Sequence, residues 1–107
     1  MNKPVYILSA GAEEDLRSIT QYTLKNHGHK QTLKYRDELE TCADNLANGT
    51  YPHKVLTNST PKILYLRCQH HYIFGYREDK QIIIMAILHK RMDLINRLTE
   101  RLNKGLK

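Results

Sequence analysis

The 107 residues are 40% apolar and 26% charged, which predicts one globular domain, residues 1–107, and excludes wholesale disorder. The 17 Lys and Arg residues against 11 Asp and Glu give a net charge of +6, which favours acidic partners. No apolar run reaches the ~18–20 residues that cross a bilayer and no apolar leader is visible, so we expect a cytoplasmic protein without a membrane partner.

The N-terminal half is predicted to form one strand and two helices. Residues 5–8 are β-branched, aromatic or aliphatic and predict a strand, after which Ser9 is a candidate N-cap. The first helix should end near Gly28, and the second should run from about residues 29–32 to Gly49. Their apolar stripes are Ala12, Leu16, Ile19 and Thr23 for the first helix, and Tyr35, Leu39, Cys42 and Leu46 for the second.

The C-terminal half is predicted to form three strands and a last helix. Residues 50–61 are a proline-containing loop, and residues 62–68, 70–76 and 81–88 are strand candidates. Because only a few residues connect consecutive strands, we expect the strands to form antiparallel hairpins. Residues 88–107 form a basic arm of net charge +4, which contains a helix. The helix has the apolar stripe Met92, Ile95, Leu98 and Leu102.

These elements predict an α+β fold in the order β-α-α-β-β-β-α. A helical hairpin should pack on one face of a small antiparallel sheet. Residues 81–88 are apolar at both alternating sets of positions, so the other face of that strand also needs cover. The C-terminal helix or a partner protein would supply it.

Neither a metal nor a cofactor is predicted. Cys42 and Cys68 are 26 residues apart without a Cys-x-x-Cys pair, and in a cytoplasmic chain we expect two reduced, buried thiols. The adjacent or near-adjacent histidines do not have zinc-site spacing. The glycines are scattered and form no phosphate-binding loop.

Ribonuclease chemistry is the one catalytic alternative that the composition supports. Metal-free RNA cleavage needs a base, a cation and an acid around the scissile phosphate. Adjacent strand residues point to opposite faces, so His71 and Tyr72 cannot both serve one site. The simpler interpretation is that Tyr72 and Tyr76 fill a sheet face while a histidine faces water. The candidate residues are His70, His71, Tyr72, Arg77, His89, Lys90 and Arg91.

The chain resembles the ParE branch of the RelE/ParE toxin–antitoxin superfamily over nearly its whole length. Residues 6–9 lead into residues 12–19 as the opening strand and helix of that family do. Tyr22 and Gly28 lie where the family's hairpin carries a tyrosine and a glycine, and residues 67–76 are similar to its central hairpin. Residues 87–93, Ile-Leu-His-Lys-Arg-Met-Asp, are the most specific match because they are similar to the segment before the last helix.

The resemblance implies one of two activities. RelE-like members cut messenger RNA on the ribosome, whereas ParE-like members are non-enzymatic and trap DNA gyrase in its cleaved complex with DNA. RelE-like nucleases carry an arginine in the middle strand, where this chain has Tyr72 or its neighbours, and a C-terminal tyrosine, whereas none follows Tyr76 here. Arg91 matches one nuclease arginine at most. The resemblance therefore favours gyrase poisoning without catalytic residues, with ribosome-dependent mRNA cleavage as the alternative.

The resemblance also implies two partners, DNA gyrase and a ParD-like antitoxin in a hetero-oligomer. Sequence-specific nucleic-acid binding by the toxin alone is not expected, and a non-toxic relative that only binds antitoxin is a third interpretation. The candidate gyrase-contacting residues are His89, Arg91, Met92, Asp93, Arg97 and Arg101. The candidate antitoxin-binding residues are Leu16, Ile19, Tyr22, Tyr35, Leu39 and Leu46.

Overall fold

A five-stranded mixed sheet lies between two helical layers. The structure, a computed structural model, describes residues 6–49, 51–56 and 59–104. Along the chain the elements are β1 (Tyr6–Leu8), α1 (Ala10–Asn48), β2 (Lys54–Val55), β3 (Leu64–Cys68), β4 (His71–Glu78), β5 (Gln81–His89) and α2 (Leu94–Asn103). The strands lie in the order β1-β5-β4-β3-β2, so β5 and β4 are central. The predicted α+β class is confirmed, and the ends of the predicted first strand and basic arm lie outside the described residues.

The helix α1 is two helices joined at Gly28, as the sequence predicts. The Ser9 Oγ accepts a hydrogen bond from the Ala12 backbone N–H at 3.1 Å and caps the first half. Gly28 has φ 85° and ψ 172°, which breaks the helical path at a conformation that L side chains rarely adopt. Gly49, with φ 72°, ends the second half. Leu16 and Leu39, one from each half, line the same small cavity against the sheet.

The strand pairing differs from the predicted all-antiparallel sheet in one place. β3–β4 and β4–β5 are antiparallel hairpins as predicted, but β1 pairs with β5 in parallel. A short turn dictates an antiparallel partner, whereas the segment between β1 and β5 is long enough to allow a parallel one. The predicted loop 50–61 also contains β2, which pairs with β3 and forms the far edge of the sheet.

The sheet has an apolar core on each face. Beneath α1, Leu46, Ile73 and Ile84 are fully buried. On the other face Phe74 and Met85 are buried in a second cluster that α2 covers in part. The C-terminal helix therefore covers part of the second face of β5. This is one of the two kinds of cover that the sequence predicts, the other being a partner protein.

The predicted apolar stripe of α2 is partly wrong. The buried Leu98 is flanked by the half-buried Leu94 and Leu102, which are spaced four residues apart and face the second cluster. Ile95 is 63% exposed because it lies one residue off that face, and Met92 is 43% exposed because it precedes the helix. Within the described residues, no helix is long and apolar enough to span a membrane.

The expectation of two reduced thiols is wrong. Cys42 of α1 and Cys68 at the end of β3 form a disulfide, with their Cα atoms 6.1 Å apart. The 26-residue separation gave no sign of it, because only the packing of the second half of α1 over β3 brings the two side chains together. The bond links the helical layer to the sheet.

Candidate functional site

An open cavity of about 720 Å³ lies where the break in α1 faces the ends of β4 and β5. We call it the histidine cavity, because four imidazoles line it: His27, His70, His71 and His89. Tyr22, Tyr35 and Arg91 also contribute to its wall, and among the described residues that line it none is Asp or Glu. In the described ranges of the chain, no group of three or more His, Cys, Asp or Glu is arranged to hold a metal ion.

Strand register brings three of these rings together. His71 and His89 are directly paired residues of β4 and β5, and their rings lie 5.1 Å apart between centroids. His70 is in the turn before β4, where its carbonyl oxygen accepts a hydrogen bond from the Lys90 N–H at 2.8 Å. The His70 ring is stacked 6.4 Å from the ring of His89. The turn and the antiparallel register thus place three imidazoles at one end of the sheet.

Tyr35 and His71 form a polar pair at the floor of the cavity. The Tyr35 hydroxyl oxygen lies 2.5 Å from His71 Nδ1 and 3.4 Å from the Cys68 carbonyl oxygen. Burial, together with the neighbouring His89 and His70, lowers the pKa of His71 from 6.5 to about 4. Burial raises the pKa of the Tyr35 hydroxyl. At neutral pH this pair is therefore an uncharged imidazole beside a protonated phenol.

His89 carries a defined hydrogen bond. Its Nδ1 accepts from the Arg91 backbone N–H at 3.1 Å, so the proton of the neutral ring resides on Nε2. Burial and then the positive charges of Arg91, His70 and Lys90 lower the pKa of His89. The cavity thus carries the positive charge of Arg91 at its rim, and the lowered pKa values of His71 and His89 keep these two imidazoles neutral more readily than a free one.

The structure brings only some of the candidate ribonuclease residues together at one site. His70, His71, His89 and Arg91 line the histidine cavity. Tyr72 lies on the other face of the sheet, with its ring 6.1 Å from that of Tyr65. The prediction that His71 and Tyr72 cannot share a site is confirmed. Arg77 lies towards the opposite end of β4, paired with Ile82 of β5, and Tyr76 is buried in the second core cluster.

The predicted gyrase-contacting residues divide into three groups. His89, Arg91 and Met92 line the histidine cavity. Farther along, the Asp93 carboxylate caps α2 by accepting from the Asn96 N–H at 3.4 Å, and Arg97 is exposed.

Arg101 is engaged inside the protein instead. Its guanidinium donates to both carboxylate oxygens of Asp15 at 3.0 Å and to the Met85 carbonyl oxygen at 2.7 Å. A partner protein could bind the Arg101 guanidinium only if these hydrogen bonds were broken. We therefore exclude Arg101 from the accessible part of the predicted gyrase-contacting surface.

The predicted antitoxin-binding residues also divide by burial. Leu39 and Leu46 are 3% and 0% exposed and lie in the core, because their faces of α1 pack on the sheet. Tyr35 forms the floor of the histidine cavity. The accessible members are the partly buried Leu16 and Ile19 and the exposed Tyr22, on the first half of α1.

Sequence reasoning missed a second concavity on the opposite face. A groove of about 620 Å³ runs between the β2 edge and α2, and Tyr65, Phe74 and Ile95 contribute to its apolar wall. It also missed the pairing of Tyr35 with His71, which are 36 residues apart. Tyr35 fits the helical stripe so well that no local signal marks its hydroxyl for another purpose.

A helical hairpin on a small sheet, with a basic segment leading into the last helix, defines the class of RelE/ParE-like toxins. The sequence model of the family described as "ParE toxin of type II toxin-antitoxin system, parDE" matches residues 6–94. The chain is also 43% identical over 98 residues to Toxin ParE of Escherichia coli, an alignment that covers 91% of this chain and 95% of that protein. The chain belongs to the ParE toxin family of type II toxin–antitoxin systems.

Proposed function

We propose that this toxin acts by trapping DNA gyrase in its cleaved complex with DNA, which blocks replication, and that a ParD-like antitoxin neutralises it. The observation that carries the proposal is an exposed segment that joins β5 to α2, within a chain 43% identical to a ParE toxin. This segment, residues 90–97, presents both cationic and apolar side chains. A toxin that works by docking needs such a surface rather than a proton-transfer pair.

Charge and apolar exposure coincide in residues 90–97. Lys90, Arg91 and Arg97 outnumber the single carboxylate of Asp93, so the segment favours acidic protein or DNA phosphates. Ile95 is 63% exposed and Met92 is 43% exposed beside these charges. A cationic surface with an apolar anchor is typical of a protein–protein contact. His89, Arg91, Met92, Asp93 and Arg97 are the proposed gyrase-contacting residues.

The antitoxin is proposed to lie along the first half of α1. Antitoxins that fold on binding lay an amphipathic helix into a groove, with apolar anchors at helical spacing. Leu16, Ile19 and Tyr22 offer accessible apolar surface at such a spacing, and the toxin would then exist as a hetero-oligomer with its antitoxin.

The second candidate function is ribosome-dependent cleavage of mRNA. The observation in its favour is that the histidine cavity brings together imidazoles, a tyrosine hydroxyl and Arg91. Two points weigh against it. Tyr35 and His71 already contact each other, and Tyr72 faces the opposite side of the sheet. Gyrase poisoning without catalysis therefore has the stronger support.

The test is a gyrase assay with purified toxin, ATP and supercoiled plasmid, beside a translating-ribosome reaction with the same toxin. We expect linear plasmid after detergent and protease treatment, with the messenger RNA intact. Cut messenger RNA with gyrase unaffected would overturn the proposal in favour of the second candidate.

A pair of matched variants tests the docking surface. Arg97→Glu reverses a charge on the proposed surface, whereas Arg36→Glu reverses an exposed charge on α1. We expect Arg97→Glu to lower the yield of linear plasmid about tenfold and Arg36→Glu to leave it unchanged. Equal yields from both variants would remove α2 from the proposed contact. Circular dichroism of each variant checks that the fold is intact.

A further inference from the structure

The histidine cavity has a concave shape and a set of hydrogen-bond donors that docking on a protein does not require, although His89 and Arg91 at its wall also belong to the proposed gyrase-contacting set. It is concave, about 720 Å³ in volume, and within the size range of small-molecule sites. Its described lining offers hydrogen-bond donors and aromatic rings but no carboxylate. A site with this character is complementary to an anion that also carries a flat ring.

We propose that the histidine cavity binds a nucleotide, with the phosphate against Arg91, His70 and His89 and the base against the exposed ring of Tyr22. This is a non-covalent binding site. It does not depend on the gyrase target proposed above, because the nucleotide is bound by the toxin itself.

The phosphate position follows from the donors at the mouth of the cavity. Because His89 Nδ1 is occupied by the Arg91 N–H, the donor that remains for a ligand is Nε2–H. The Arg91 side chain is exposed at the same wall and can present two parallel N–H groups to phosphate oxygens. The His70 ring stacks beside His89 at 6.4 Å and adds a third donor group.

The cationic side chains and the hydrogen-bond donors around the cavity favour an anion. His27, His70, His71, His89 and Arg91 line it, and Lys90 adjoins it in the chain. Among the described residues, the Glu38 carboxylate acts on the cavity floor: it adds to the rise that burial causes in the pKa of Tyr35, and it accepts a hydrogen bond from Gln69 Nε2 at 3.0 Å. Burial is the largest cause of the lowered pKa values of His71 and His89, and the positive charges of Arg91 and Lys90 add to it at His89. A bound phosphate would compensate that charge.

The base position follows from exposed aromatic surface. Tyr22 is 64% exposed, and its ring lies 6.3 Å from that of His27. A nucleobase that stacks on a tyrosine ring gains affinity with little dependence on which base it is. The proposal therefore predicts weak preference among bases and strong dependence on the phosphate.

The experiment is isothermal titration of the purified full-length toxin with adenosine 5′-monophosphate as the probe. Adenosine and inorganic phosphate are titrated separately, in the same buffer. We expect the monophosphate to bind at least about tenfold more tightly than either component, because it uses both parts of the cavity. Equal affinity for phosphate and monophosphate would overturn the nucleotide assignment, and no binding by any probe would overturn the site.

Matched variants locate the site. Arg91→Gln should weaken binding of the monophosphate about tenfold, and Arg97→Gln, outside the cavity, should not change it. Tyr22→Ala should reduce the affinity to that for inorganic phosphate, while Tyr51→Ala, which removes an exposed ring elsewhere, should have no effect. Equal losses in Arg91→Gln and Arg97→Gln would mean general charge attraction and would overturn the proposal.

The wild-type protein gives a test that needs no variant. Ring proton shifts of the histidines are titrated by NMR with and without saturating monophosphate. We expect the pKa values of His71 and His89 to rise when the ligand is bound, whereas the ring proton shifts of His53, outside the cavity, should not respond to the ligand. Unchanged pKa values for both His71 and His89 would contradict phosphate binding there.

Discussion

At the scale of single residues, the burial of His71 beside His89 and His70 has a measurable consequence for stability. The unfolded chain binds a proton at His71 near pH 6.5, whereas the folded protein does so only near pH 4. The unfolded state therefore holds more protons between these values, and the free energy of unfolding must fall as the pH is lowered from 7 towards 4. Above about pH 7 this contribution to stability is fully present.

We predict that lowering the pH from 7 to 5 costs the wild type about 1 kcal/mol through this residue, after discounting for its partial solvent screening. His71→Gln should flatten that pH dependence, because glutamine does not titrate. Urea melts at the two pH values measure it. His29→Gln, at an exposed position on α1, is the control that should keep the wild-type slope. If both variants keep the slope, His71 is not the responsible group.

At the scale of elements, one carboxylate supplements the apolar packing of α2 by linking it to α1 and β5. Asp15 of α1 accepts from Arg101 of α2 and, at 2.9 Å, from the Ile87 N–H of β5. The Arg101 side chain lies close over α1, since a Cβ placed on Gly11 would approach its guanidinium nitrogen to 2.7 Å. Three elements are thus held at one partly buried ion pair.

We predict that Asp15→Asn lowers the free energy of unfolding by about 1–3 kcal/mol, because it leaves the Arg101 guanidinium without its counter-charge. Backbone amides of α2 should also exchange faster with deuterium than in the wild type. Glu14→Gln is the matched control: it removes an exposed carboxylate that pairs with Arg17 within α1, and it should cost less than about 0.5 kcal/mol. Unchanged exchange in α2 would contradict a role for Asp15 in its attachment.

The elements also separate what sequence reasoning could predict from what it could not. Helix ends follow from local chemistry, and Ser9, Gly28 and Gly49 mark them correctly. The parallel pairing of β1 with β5 and the Asp15–Arg101 pair, 86 residues apart, depend on packing that no local pattern encodes. The same dependence on packing explains why some of the predicted antitoxin-binding residues are buried in the core. Helical spacing identified an apolar stripe but did not distinguish members that face the sheet from those that face a partner.

At the scale of the whole molecule, two separate cores share one sheet, and β5 contributes to both. Ile82, Ile84 and Ile87 face the core under α1, whereas Ile83, Met85 and Leu88 face the core under α2. The layers are also joined covalently, since the Cys42–Cys68 disulfide connects α1 to β3. Cys68 immediately precedes the turn that carries His70, so the bond also anchors the wall of the histidine cavity.

We predict that reducing this disulfide lowers the free energy of unfolding by about 2–4 kcal/mol, because the closed loop restricts the unfolded chain. Denaturant melts of the wild type with and without a thiol reductant measure the difference. Cys42→Ser should have the reduced wild type's stability under both conditions, since it cannot form the bond. Ser18→Ala, at an exposed serine on α1, serves as the control that keeps the reductant effect. A wild type whose midpoint does not respond to reductant would contradict a bonded pair and return Cys42 and Cys68 to the free thiols that the sequence predicts.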